Sequence, residues 1–329
     1  IRICIILYDE LTPEQKLKYM SATRHFQNDI TMTGANRMWE CEVFIGRGII
    51  ENNASNIQLA KEGISAVIGM VSGGDGYYSD GSFIQHSFYP YNGGYGQSLF
   101  ANISEMIYIL DDSPWQITEA AESNIYNWIY NAYAPFIYKG QFMDMVRGRE
   151  MSRYYSDTYD IGVKMICAIV NIAQYAPKRY AGELKSMVKY WCSSNDMVNF
   201  YEDMTNYSIV LTKEIMNDDT IQPMDEPTFC RQFYNMDRTV QTRPGYGVGI
   251  SMYSNRIGAY ESINSENQHA YHTADGMIYL YNDDLLHYHD GFWPTVDYYR
   301  LSGTTVEHNT SIKSNSKGSE PWAGGVSIE

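Results

Sequence analysis

The stretch Ile221-Gln222-Pro223-Met224-Asp225-Glu226-Pro227 is where the sequence changes its period. Neither a helix interior nor a central strand tolerates two prolines so close together, because proline fixes φ and has no backbone donor. Upstream, apolar residues recur every three or four positions over Asn36–Glu51, Ser55–Met70, Gly96–Leu110, Thr118–Tyr133, Thr158–Ala173 and Ala181–Trp191, the spacing of helices with one buried face. Downstream, apolar and polar residues alternate over Tyr246–Tyr253, Ile257–Ile263 and Met277–Tyr281, with Gly, Asn and Asp turns between them, which predicts antiparallel strands. The expected fold is therefore α+β, with a helical domain over 1–224 and the start of an antiparallel β domain over 225–329.

Further upstream, Thr12-Pro13-Glu14-Gln15 combines an N-cap threonine, proline at the first helical position and a capping-box glutamine. Ile1–Tyr8 reads as a buried helix, and Gly324–Glu329 as a strand pattern broken off, so both ends are expected to be cut. The connections between helices are short except for a Gly-, Asp- and Tyr-rich loop from Ser72 to Gly94. Many helical hairpins and one long polar loop suggest an α/α toroid or solenoid, with no fixed-period repeat.

At 329 residues, 44% hydrophobic and 19% charged, the chain can bury substantial cores. A net charge of −15 argues against a nucleic-acid or membrane-surface binder, which would carry a basic face. An acidic substrate needs only a local cation cluster, and Arg147, Arg149 and Arg153 supply one. Cys4, Cys41, Cys167, Cys192 and Cys230 are dispersed, without CxxC or metal-ligand spacing, and read as small hydrophobes. No apolar run has the length of a membrane span.

Three segments carry candidate chemistry. The loop from Asp80 to Gly96 sets His86 and Tyr95 among glycines and tyrosines just before a helix, where a scaffold presents functional groups. A lone histidine is more often structural, but this company favours function. Arg149 and Arg153 share a face if helical, although a solvated face paired with Asp144 and Glu150 explains them equally well. Glu261 and Asn264, at a strand-to-loop transition, could orient cations across an interdomain cleft, or could simply be turn chemistry. Asp75–Gly81 lacks the spacing and closing glutamate of a calcium loop. His287-Tyr-His289-Asp290 alternates like a strand edge rather than a metal site. Most of the 30 tyrosines are expected to be core and surface residues.

At these residues the chain resembles polysaccharide lyase family 8, which contains hyaluronate, chondroitin AC and xanthan lyases. The resemblance runs nearly end to end, through Thr33-Gly-Ala-Asn36-Arg37, Asp80–Gly96, Tyr138-Lys-Gly, Met143–Arg153, Tyr260–Asn267, Asp275–Asn282, Phe292–Asp297 and Gly303–Val306. It implies an incomplete α/α toroid followed by a β-sandwich, and β-eliminative cleavage of an acidic, uronate-containing polysaccharide. It implies Asn36, His86, Tyr95, Arg149 and Glu261 as the catalytic set, with Arg37, Arg153, Tyr155 and Asn264 binding substrate. The Gln85-His86, Asn92-Gly-Gly-Tyr95 and Ser262–Asn267 stretches, together with Tyr155 and with Ile30 where hyaluronate lyases tend to be aromatic, look most like xanthan lyase. Hyaluronan and chondroitin remain the alternative substrates. The family also implies a secreted enzyme, expected to be a monomer.

The chemistry needs those groups. Removing the C5 proton of a uronate requires neutralising its carboxylate, a task for the Asn36 amide. A phenol is a poor base at neutral pH unless a cation favours its phenolate, and Arg149 is that cation for Tyr95. Either Tyr95 or His86 then takes the proton, and Tyr95 returns one to the leaving oxygen. No redox cofactor or catalytic metal is required, and a structural calcium ion is the only ion this reading leaves room for. Two other classes compete. One is a glycoside hydrolase using two of Asp75, Asp80 and Glu261; the other is a non-catalytic glycan-binding module.

Overall fold

The computed structural model describes residues 1–117, 119–289, 291–308 and 316–325. Thr118, Asp290 and the strand-like ending at 326–329 lie outside these. The chain opens with α1 (Arg2–Ile6) and α2 (Pro13–Phe26). The capping box forms: Thr12 Oγ1 accepts from the Gln15 amide, and the Gln15 side chain accepts from the Thr12 amide. The first helix is not buried, however. Ile3 and Ile6 are 71% and 79% exposed and only Cys4 is covered, because five residues make too short a helix to pack more than one side chain inward.

The helical layers follow as α3 (Gly34–Glu51), α4 (Ala54–Ile68), α5 (Tyr95–Leu110), α6 (Glu119–Trp128), α7 (Thr158–Tyr175), α8 (Lys178–Ser193) and α9 (Asn206–Asn217). Each buries a stripe at helical spacing, as Ala35, Met38, Cys41 and Ile45 do on α3. α3 packs on α4 and α5, α5 on α7, and α7 on α8, forming the helical-hairpin layers of the toroid. Past Trp128 the helix widens into a π turn over Ile129–Tyr133, and Pro135 then ends it in a short 3₁₀ turn. The sequence reading missed α9; Thr205 caps it and four of its side chains, Ser208, Leu211, Thr212 and Ile215, are buried.

The long loop is not structureless. It holds three short antiparallel strands, β1 (Gly76–Tyr77), β2 (Phe83–Gln85) and β3 (Tyr89–Pro90), and nearly all their side chains are buried. A second hairpin, β4 (Ile137–Tyr138) with β5 (Gln141–Phe142), lies against α7.

Beyond the prolines, β6 (Phe229–Phe233), β7 (Arg238–Arg243), β8 (Tyr246–Ser251) and β9 (Met277–Tyr281) form an antiparallel meander in chain order. β9 alternates cleanly, burying Met277, Tyr279 and Tyr281 while Ile278 and Leu280 face out. β7 escaped the sequence reading because Arg-Thr-Val-Gln-Thr-Arg has one apolar residue. Its Arg238 is buried by donating to the Met145, Met236 and Met252 carbonyls.

Ile257–Ile263 is not a strand. Its Gly258 and Ala259 amides donate to the carbonyls of Phe88 at 3.0 Å and Ser316 at 2.9 Å, so its backbone joins the His86 loop and the C-terminal segment instead of a ladder. His287–His289 is likewise a turn; His287 stands 3.8 Å from Asp284 and His289 pairs with Asp157.

Buried polar contacts weld the helical and β parts together. Asp144 accepts from Arg147 at 2.5 Å and from the Trp293 indole at 2.7 Å, while its amide donates to the Tyr281 hydroxyl. An ion pair this deep gives orientation more than net stability, since desolvation offsets much of its attraction.

Candidate active site

The loop that carries His86 is anchored by one carboxylate. Asp75 accepts from the Ser87 amide at 2.7 Å, from Gln85 at 3.1 Å and from Thr33 at 3.2 Å. His86 and Ser87 are consecutively left-handed (φ 52° and 73°), a costly turn that these bonds hold in place. Gly34, also left-handed at φ 54°, lies so close to Gln85 that a Cβ would sit 2.6 Å from its Oε1. Glycine there lets the start of α3, with Asn36 in its first turn, approach the loop.

Tyr95 opens α5, and its ring is enclosed on several sides. The His86 ring stands 4.9 Å away and that of Tyr91 5.0 Å away, both edge-on. The Arg149 guanidinium carbon lies 5.6 Å from the Tyr95 ring centre, and Arg149 Nη2 donates to the Tyr95 hydroxyl oxygen at 3.2 Å.

Glu261 reaches in from the irregular segment between β8 and β9. Oε1 meets His86 Nδ1 at 2.5 Å, and Oε2 accepts from Arg149 Nη1 at 2.9 Å and from the Tyr91 hydroxyl. Burial pushes this carboxyl up, but the bonds from His86, Tyr91 and Arg149 outweigh it and hold it below the ordinary range. Burial alone would lower Arg149, yet Tyr91, Tyr95 and Glu261 keep it firmly charged. Tyr91 itself is driven well above a free phenol, first by burial and then by Glu261, so it is a neutral donor.

Glu266, on the same segment, was missed by the sequence reading. It accepts from Arg149 Nε at 2.7 Å and from Arg153 Nε at 2.7 Å, joining the two arginines. The hydrogen bond from Arg153 lowers its carboxyl most. The 3₁₀ turn Gly148–Ser152 ends at Arg153, and there one acid holds both arginines together, with no shared helix face involved. The bland pairing also exists, since Arg153 lies 3.2 Å from Glu150.

The remaining candidates stand apart from this cluster in different ways. Arg37 donates to the Met32 carbonyl at 2.5 Å, which commits part of its guanidinium to the backbone before α3. Tyr155 is exposed, its ring edge-on to Tyr154 at 5.4 Å. Asn264 is exposed in a left-handed turn (φ 56°). Asn92 is fully buried, bonding the Gly81 and Ala132 carbonyls and the Phe83 amide, and Ile30 packs on the core beside Gly63. Asn92 is therefore a scaffold residue, and Ile30 is partly buried. Among the described residues no group of three His, Cys, Asp or Glu side chains converges as a metal site would, and no helix is long and apolar enough to cross a membrane.

Comparison with known proteins identifies the family. Residues 1–190 match the polysaccharide lyase family 8 N-terminal alpha-helical domain, and residues 228–329 match that family's super-sandwich domain. The chain belongs to polysaccharide lyase family 8. It is 41% identical to a xanthan lyase of Bacillus sp. (strain GL1) over 92% of its own length and 33% of the relative's. It is 36% identical to a hyaluronate lyase of Thermasporomyces composti, over 98% of its length and 43% of that protein. Among solved structures, a Paenibacillus xanthan lyase superposes with a TM-score of 0.92 at 45% identity, covering 97% of this chain and 31% of that one. A Streptomyces coelicolor chondroitin AC lyase superposes with a TM-score of 0.91 at 30% identity, covering 98% of this chain and 46% of that one. The chain thus spans less than half the length of each of these proteins.

Proposed function

We propose that the protein containing this chain is a secreted lyase that cleaves an acidic, uronate-containing polysaccharide by β-elimination. The observation that supports this most is Glu261, whose one carboxylate meets His86 and Arg149 while Arg149 in turn donates to Tyr95. A carboxylate on Nδ1 keeps the histidine proton there and leaves Nε2 as the basic nitrogen. Because the Tyr95 oxygen accepts from Arg149, its own proton is free to pass to a leaving oxygen. Asn36, in the first turn of α3, would bind the uronate carboxylate and stabilise the charge that develops when C5 loses its proton. Either His86 or Tyr95 takes that proton. Arg153 and Arg37 add positive charge for the polymer, and exposed Tyr155 offers a contact for a sugar. The chemistry asks for no metal or redox cofactor.

The same carboxylate weighs against a hydrolase. A glycosidase needs one carboxyl kept protonated as general acid. Glu261 is held on the ionised side, Asp75 is spent on the His86 loop, and Asp80 accepts from the Ser82 and Asn235 amides. For the substrate, the similarity to xanthan lyases favours side-chain cleavage of xanthan, ahead of hyaluronan or chondroitin. The full-length protein given each polymer should build up the ultraviolet absorbance of an unsaturated uronate, most rapidly on xanthan. Reducing ends without that absorbance would mean a hydrolase, and neither signal a binding module. Fast release from hyaluronan with xanthan untouched would reverse the substrate order.

A further inference from the structure

Trp39 lies three residues after Asn36 on α3, on the same face of the helix. Its ring centre is 6.1 Å from that of Tyr95, tilted by 42°. Its indole N–H donates to Ser98 Oγ at 3.1 Å, and Ser98 is in turn three residues after Tyr95 on α5. The side chain is therefore fixed between the helix that carries Asn36 and the helix that carries Tyr95. It is nevertheless 41% exposed, unlike Tyr91, the buried tyrosine that also packs on Tyr95. A large aromatic that is both oriented by a hydrogen bond and open to solvent is pre-organised to receive a flat apolar surface at little entropic cost.

The polar groups on these two helix faces are uncharged or already engaged. Gln97 and Ser98 are neutral, Glu40 accepts from the Thr31 and Met32 amides, and Arg37 donates to Met32. Arg149 and Arg153 are likewise paired, with Glu261 and Glu266. We infer that Trp39 is a sugar platform: its exposed indole face stacks on the C–H face of an uncharged pyranose next to the uronate held by Asn36. This rests on the lyase reading above and adds a specificity-determining contact to it.

The test compares Trp39→Ala, Trp39→Phe and wild type in the full-length enzyme, on whichever of xanthan, hyaluronan and chondroitin it cleaves. A platform predicts that Trp39→Ala raises KM about tenfold with kcat changed less than about threefold, and that Trp39→Phe recovers most of the loss. A second arm titrates a neutral β-linked glucose tetrasaccharide and follows tryptophan fluorescence. Wild type should be quenched, and Trp39→Phe should lose that quench. A kcat that falls with KM unchanged, or Trp39→Phe as poor as Trp39→Ala, would show that Trp39 only braces Tyr95 and overturns the inference. If no polymer gives unsaturated product, the lyase reading fails by itself, and the fluorescence arm still decides whether Trp39 binds sugar.

Discussion

Two irregular segments face each other across Tyr95, and they are built in opposite ways. The one over residues 72–94, which carries His86, is stiffened by backbone pairing: three short strands, a buried Asn92 and the Asp75 anchor. The one over residues 252–276, which carries Glu261 and Glu266, has no strand of its own and is shaped by left-handed residues at Asn264, Ser265, Asn267 and His272. Its internal ties are few and local, such as Asn267 Nδ2 to the Glu261 carbonyl at 2.9 Å and Ser262 Oγ to the Glu266 carbonyl at 3.0 Å. The segment in the helical part presents His86, and leads directly into Tyr95 at the start of α5; these are the groups proposed to handle protons. The segment in the β part presents the counter-charges Glu261 and Glu266, and it is held both by the arginines it binds and by backbone bonds to Phe88 and Ser316. Paired strands thus shape the His86 segment, while charge and backbone bonds together fix the segment opposite.

If that division is right, the largest effect belongs to the rigid side and should be purely chemical. Tyr95→Phe keeps the ring among His86, Tyr91 and Arg149 and removes only the hydroxyl. Turnover should fall by about 10²–10⁴-fold with the melting temperature nearly unchanged. Retention of most turnover in the ultraviolet assay would take Tyr95 out of proton transfer.

The charged side should respond as a matter of stability and pH. Glu261→Ala leaves Arg149 with Glu266 as its remaining carboxylate, and should cost about 1.5–3 kcal/mol in urea unfolding. Both glutamates have folded-state pKa values below the ordinary one, Glu261 through His86, Tyr91 and Arg149 against burial, Glu266 chiefly through Arg153. A depressed folded value gives stabilisation that is full above the unfolded pKa of about 4.3 and drains away as pH falls through the folded value. The stability gap between wild type and Glu261→Ala should therefore be level above about pH 5 and narrow as pH falls below the unfolded value of about 4.3. A gap that does not narrow on acidification would mean the carboxylate is not the tie.

The smallest effect separates backbone from side chain at Asn264. At φ 56° glycine fits as well as asparagine, so Asn264→Gly should change stability by about 0.5 kcal/mol or less, while Asn264→Ala should cost about 1 kcal/mol. Turnover that drops more than about tenfold in the glycine variant would show the amide itself touching substrate.

Periodicity and capping are local properties, so the sequence by itself determined the long helices, the Thr12 cap, the break around Pro223 and Pro227, and strands β8 and β9. Short-range composition also picked out the His86 loop, the arginine turn and Glu261 as unusual. Tertiary structure decided what depends on partners remote in the chain. β7 is a strand because β6 and β8 pair with it on both sides, its Arg238 being accommodated by carbonyls such as that of Met145, and Ile257–Ile263 is not one because its amides bond Phe88 and Ser316 instead. Glu266 and Trp39 look ordinary in sequence, an acid in a turn and an aromatic on a helix. The first acquires its role from arginines more than a hundred residues away, the second from a ring on the next helix over. No spacing rule encodes such distances, because they arise only when the β part folds back over the helical layers and buries opposite charges together.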